Sequence, residues 1–156
     1  MLKETLNKDL IVALKSGDKE KTGTLRLVLS ALHNLEIEKR GKTGKDVALT
    51  DEDVLDVLKR ESRKRKEAIE LYQKGGRADL AGKEEAELGI IKNYLPPEMS
   101  EEEVKKIIFE VVARVKPVGP SDFGRVMGEV MKVLKGKAEA GLVSKILKEA
   151  LGRENG

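Results

Sequence analysis

The sequence contains no cysteine and no tryptophan, and only two phenylalanines and two tyrosines among its 156 residues. Without cysteine there is no disulfide, no thiolate metal site and no cysteine nucleophile. An aromatic share of 3% argues against a β-sandwich and suits a helical core of Leu, Ile, Val, Ala and Met. No apolar run approaches the roughly 20 residues that span a bilayer, and Met1-Leu2-Lys3-Glu4 does not open a signal peptide, so a cytoplasmic protein without membrane contact is expected. Charge of one sign is also lacking. The 31 Lys and Arg are nearly matched by 28 Asp and Glu, leaving +3, so only local clustering of charge can point to a nucleic acid.

What remains is helix-forming almost throughout. A first helix is predicted over about 2–15, where Leu6, Leu10, Val12 and Leu14 are apolar and Gly17-Asp18 supplies a stop and a new N-cap. A second runs over about 19–40, with Leu25, Val28, Leu29, Leu32, Leu35 and Ile37 on a broad apolar face, and ends at Gly41 before a polar loop. Thr50 followed by three acids reads as the cap of a third helix that reaches Gly75-Gly76. A fourth, about 78–94, stops at Leu95-Pro96-Pro97, where proline geometry makes the best candidate for a domain boundary. Ser100 with Glu103 is a capping box, opening a helix that carries Val104, Ile107, Ile108, Val111 and Val112. Pro117-Val118-Gly119-Pro120 breaks the chain again, and two shorter helices follow, about 122–134 and 140–151. The expected architecture is all-α: an N-terminal domain of about four helices over 1–96 and a small three-helix domain over 97–156.

Catalytic chemistry has little to stand on. The single histidine, His33, lies one turn from Leu29 and Ile37, where packing at a helix edge is commoner than general-base work. Glu84-Glu85 and Glu101 to Glu103 lie on solvated faces or at a cap, with no histidine or cysteine beside them to make a metal site. Asp122-Phe123-Gly124 matches a magnesium-binding kinase tripeptide, but no catalytic loop or strand-borne lysine accompanies it. Asp122 fits the first turn of a helix, and Phe123 begins an apolar series through Met127, Val130 and Leu134. Neither a catalytic residue, a metal nor a cofactor is expected.

Two basic clusters stand out. Lys59 to Lys66 holds six cations and one acid, with Lys59, Arg63 and Lys66 on one helix face. Such a row either follows phosphates or is a solvated face paired with Glu61, Glu67 and Glu70. Arg65 lies close to the apolar stripe of Val54, Leu58, Ile69 and Tyr72, which suggests a partly buried pair with Glu61. Near the C-terminus, Gly124, Gly128, Lys132 and Lys135 share a face, with Arg125 beside it and Lys137 in the following turn. Paired glycines let another backbone approach, and spacing alone favours a neighbouring helix over a nucleic acid, because a helical glycine costs roughly 1 kcal/mol.

Phe123-Gly124-Arg125-Val126-Met127-Gly128-Glu129-Val130-Met131-Lys132, with Lys135-Gly136-Lys137-Ala138-Glu139-Ala140-Gly141-Leu142-Val143, resembles the C-terminal tail domain of the B subunit of bacterial glutamyl/aspartyl-tRNA amidotransferase, the GatB/YqeY domain. Upstream, Thr24-Leu25-Arg26, Asn34 to Arg40, Gly75 to Ala81 and Tyr94-Leu95-Pro96 resemble the stand-alone YqeY-like proteins that share this tail. The resemblance covers nearly the whole chain. In one respect it is mixed: Gly141 stands one position later than in the usual YqeY-like Asp-Gly turn, as in the amidotransferase tail. The resemblance implies a two-part helical protein whose tail contacts tRNA, while amide transfer takes place elsewhere in the larger enzyme. The glutamine-dependent carbon–nitrogen ligase label attached to the family is read as inherited from that enzyme. The expectation is therefore an accessory protein that binds tRNA or another structured RNA, not DNA, and is not catalytic alone. Arg125, Gly128, Lys132, Lys135 and Lys137 are its candidate RNA contacts, Arg63 extends them, and amidotransferase or aminoacyl-tRNA machinery are candidate partners. The alternative is a module that docks a partner helix on the Gly124/Gly128 face; an amidotransferase activity of its own ranks last.

Overall fold

The structure, a computed structural model, describes residues 1–153. Seven α-helices and one short 3-10 turn make up the regular structure, with no strand among the described residues, so the expected all-α class is the one found. The chain divides into two compact units, Met1–Pro96 and the residues from Pro97 onward.

In the first unit, α1 (Leu2–Ser16) and α2 (Lys19–Thr43) form a helical hairpin. Gly17 makes the reversal by adopting φ 74°, a left-handed conformation that costs glycine little, and the Asp18 carboxylate accepts the Lys21 N–H to start α2. The second helix does not end at Gly41. It continues to Thr43 and ends at Gly44, whose φ of 69° provides the left-handed cap. Thr50 and Asp53 exchange side-chain and backbone hydrogen bonds in a full capping box at the head of α3 (Asp51–Lys74), and α4 (Ala78–Lys92) follows. Leu6, Leu25, Val28, Leu32, Val54, Val57, Leu58 and Ile91 form the buried core, each side chain contributing about 1.5–3 kcal/mol by its removal from water. Val12 and Leu14 are exposed and Ala13 is buried between them. The reason is angular: neighbours in a helix sit about 100° to either side of the residue that faces inward, and Leu6 and Ala13, two turns apart, hold the inner face.

Among the polar contacts that tie this unit together, two involve partly or fully buried side chains far apart in sequence. Arg65, 6% exposed, donates from Nη1 to the Glu61 carboxylate at 2.8 Å and carbonyl at 3.0 Å, and from Nε to Glu87 of α4 at 3.1 Å. Tyr94 Oη donates to the Asp9 carboxylate of α1 at 2.5 Å, and burial followed by that hydrogen bond raises the phenol well above its ordinary pKa.

The second unit contains α5 (Glu101–Val115), α6 (Phe123–Leu134) and α7 (Ala140–Arg153). Ser100 and Glu103 form the capping box that the sequence predicts. Val104, Ile108, Val111 and Val112 of α5 pack with Val126, Val130 and Leu134 of α6 and with Val143, Ile146, Leu147 and Leu151 of α7.

Candidate functional site

The outer face of α6 is set by its inner one. With Val126, Val130 and Leu134 fully buried, positions 124, 125, 128, 132 and 135 are left exposed. A side-chain methyl placed at Gly124 or Gly128 would meet no other atom within 4 Å. Among the described residues no other helix of this chain packs on the two glycines, and the smooth strip of backbone lies open there.

Cations border this strip. The Arg125 guanidinium lies 3.3 Å from Asp122, and Lys132 Nζ donates to Glu129 at 2.8 Å. Both are exposed pairs of the kind worth about 0–1 kcal/mol, so a competing phosphate displaces them at small cost. The Lys132 hydrogen bond holds the Glu129 carboxyl below its ordinary pKa. Lys135 and Lys137 are exposed, and their side chains form no hydrogen bond or ion pair among the described residues. They sit in the α6–α7 turn, where Gly136 has φ 79° and the Lys137 carbonyl accepts the Met99 N–H at 3.3 Å. That bond ties the lysine turn to the segment before α5.

Asp122 does something other than cap α6. Its carboxylate accepts the Val118 N–H at 2.7 Å and pairs with Arg125, and the Val118 hydrogen bond foremost holds its pKa low. It closes the Pro117–Pro120 loop, while Phe123 packs on the core beneath the Lys148 ammonium, 5.6 Å from the ring centroid. The sequence carries no signal for that contact across twenty-five positions.

The remaining candidates lie in the first unit. Arg63 is exposed on α3 and makes no ion pair among the described residues. Lys64 is 3.2 Å from Glu61, and Arg65 is the buried pair the stripe suggests, with Glu87 as a second partner that only the packing of α4 on α3 reveals. Burial raises the Glu61 pKa, but hydrogen bonds from Arg65 and Lys64 outweigh it and leave the carboxyl below its ordinary range. His33 is not packed at a helix edge: its side chain is 71% exposed, with Nδ1 3.7 Å from Glu36. Among the described residues no group of His, Asp and Glu is placed to hold a metal ion, and no helix is long and apolar enough to cross a membrane.

A family model described as YqeY-like protein matches residues 3–151. An uncharacterized protein of Schizosaccharomyces pombe is 41% identical over 99 residues, covering 64% of this chain and 76% of the relative. The mitochondrial protein named altered inheritance of mitochondria protein 41 is 36% identical over 118 residues in Lachancea thermotolerans, covering 74% of this chain and 60% of the relative. In Pyrenophora tritici-repentis the protein of that name is 29% identical over 150 residues, covering 94% and 79%. These names correct the cytoplasmic expectation, because the compartment they carry is the mitochondrion. Lack of cysteine and of an apolar span is compatible with either compartment.

Proposed function

The chain belongs to the YqeY-like family, and from that premise we propose that it is an RNA-binding accessory protein whose ligand is tRNA or a similarly folded RNA. The observation that carries the reading is the open glycine strip of α6 bordered by Arg125, Lys132, Lys135 and Lys137. A ribose–phosphate backbone can lie against Gly124 and Gly128 because no side chain holds it off, while the lysines reach its phosphate oxygens. Recognition is by shape and backbone, since the chain has few aromatic rings on which unpaired bases stack. The names of two relatives carry the word mitochondrial, so a mitochondrial tRNA is a ligand to include in the test.

The test is tRNA binding by fluorescence anisotropy over a salt series, with the intact chain and with Lys132, Lys135 and Lys137 all changed to Gln. The triple variant is expected to bind more weakly and to lose about two to three units of the log–log salt slope, near 0.7–0.9 per phosphate contact. Unchanged affinity and slope would sink the assignment. The same open strip also suits a partner helix, and that second reading makes the opposite forecast. Binding to the partner tolerates salt, and Gly128→Leu weakens it more than loss of the lysines does.

A further inference from the structure

The outward face of α5 carries one of the two phenylalanines of the chain, Phe109, 53% exposed, in a shallow depression with Glu102, Lys105, Lys106, Glu110 and Ala113. A half-exposed aromatic on a helix whose other side is fully engaged in a core is a large apolar surface left in water. Part of the charge around it is not used among the described residues. Glu101 lies 3.7 Å from Lys105, Arg114 lies 3.7 Å from Glu129, and Glu103 serves the capping box, but Glu102, Lys106, Glu110 and Lys116 make no ion pair among the described residues.

These unpaired groups follow one another as Glu102, Lys106, Phe109 and Glu110 on α5 and Lys116 at its left-handed C-cap, where φ is 52°. Read from one end the face is minus, plus, ring, minus, plus; from the other end it is plus, minus, ring, plus, minus. Two identical helices laid antiparallel about Phe109 therefore bring each of these unpaired charges near its opposite. Glu102 faces Lys116 of the second copy, and Glu110 comes within two residues, about 3 Å along the axis, of Lys106, which long side chains span. The two rings meet near the two-fold axis, flanked by Ala113 and the Lys105 and Lys106 stems. A parallel arrangement would stack like charges.

We propose that this face of α5 is a self-complementary surface on which a second copy of the chain docks antiparallel, forming an isologous dimer. One helix face per copy falls short of the roughly 1,000 Å² at which interfaces become firm, so the dimer is weak and reversible. It leaves the α6 glycine strip uninvolved and stands whether or not that strip binds RNA.

Sedimentation velocity of the intact chain over a concentration series tests it. The expected result is a reversible monomer–dimer equilibrium weakened by salt, absent in Phe109→Glu, with the variant's circular dichroism melt unchanged. Lys106→Glu and Glu110→Lys are each expected to raise the dissociation constant about tenfold, because every contact occurs twice. The double exchange restores it, because the complementarity is preserved. A chain still monomeric near about 1 mM, a dimer indifferent to Phe109→Glu, or a double exchange that fails to rescue the single reversals overturns the proposal.

Discussion

Arg65 shows what one residue inside a helix can do. Its guanidinium reaches both its own helix and the next, so Arg65→Ala leaves Glu87 poorly solvated without its partner and Glu61 with Lys64 alone. A loss of about 3 kcal/mol in chemical denaturation is expected, the lower end of the range for breaking a buried pair. The same site carries a pH signature. Because the folded pKa of Glu61 lies below its ordinary value near 4.5, the unfolded chain binds the proton more readily. The contribution is therefore present above that pH and fades as pH falls through the lower folded value. Glu61→Gln is expected to lower stability at pH 7 while flattening this part of the acid limb in denaturation at pH 3 to 7. Tyr94 works similarly across eighty-five positions of chain. Tyr94→Phe keeps the packing but leaves Asp9 without its donor, and a melt should show a loss of about 1–2 kcal/mol.

At the scale of elements, the capping residues are written in the sequence because they act within four residues. Ser100→Ala should cost about 1 kcal/mol in thermal unfolding, since it orphans the Glu103 amide. The helical glycines of α6 behave in the opposite way. With nothing near a side chain at Gly128, Gly128→Ala should raise stability by roughly 0.5–1 kcal/mol. If a ribose–phosphate backbone lies against the strip, the same substitution weakens tRNA binding in the anisotropy assay, so stability and affinity move apart. A residue kept small for packing alone would not show that split.

For the molecule as a whole, a net charge of +3 provides no general attraction for polyanions, so the location of charge matters more than its sum. Changing Lys132, Lys135 and Lys137 to Gln removes three charges and takes +3 to 0. Changing Lys8, Lys15 and Lys19, all exposed in the first unit, to Gln does the same. Only the first set is expected to reduce tRNA affinity; equal losses in both would show that net charge and not the α6 turn governs binding.

Helix number, caps, turns and all-α class were legible because each is decided by a few consecutive residues: Gly17-Asp18, Thr50 with Asp53, Ser100 with Glu103. The basic α6 face was legible for the same reason, through its spacing of four. What only the tertiary structure decided is which sides of the helices are covered. Val12 and Leu14 are as apolar as Leu6 yet stand in water, Val126 is buried as deeply as Val130, and Glu87 and Asp9 find partners in distant parts of the chain. Gly124 and Gly128 read as a packing device by sequence and prove to be open surface. Periodicity reports that a helix has two faces, but which one faces inward depends on its neighbours, and those are brought together only when distant parts of the chain pack.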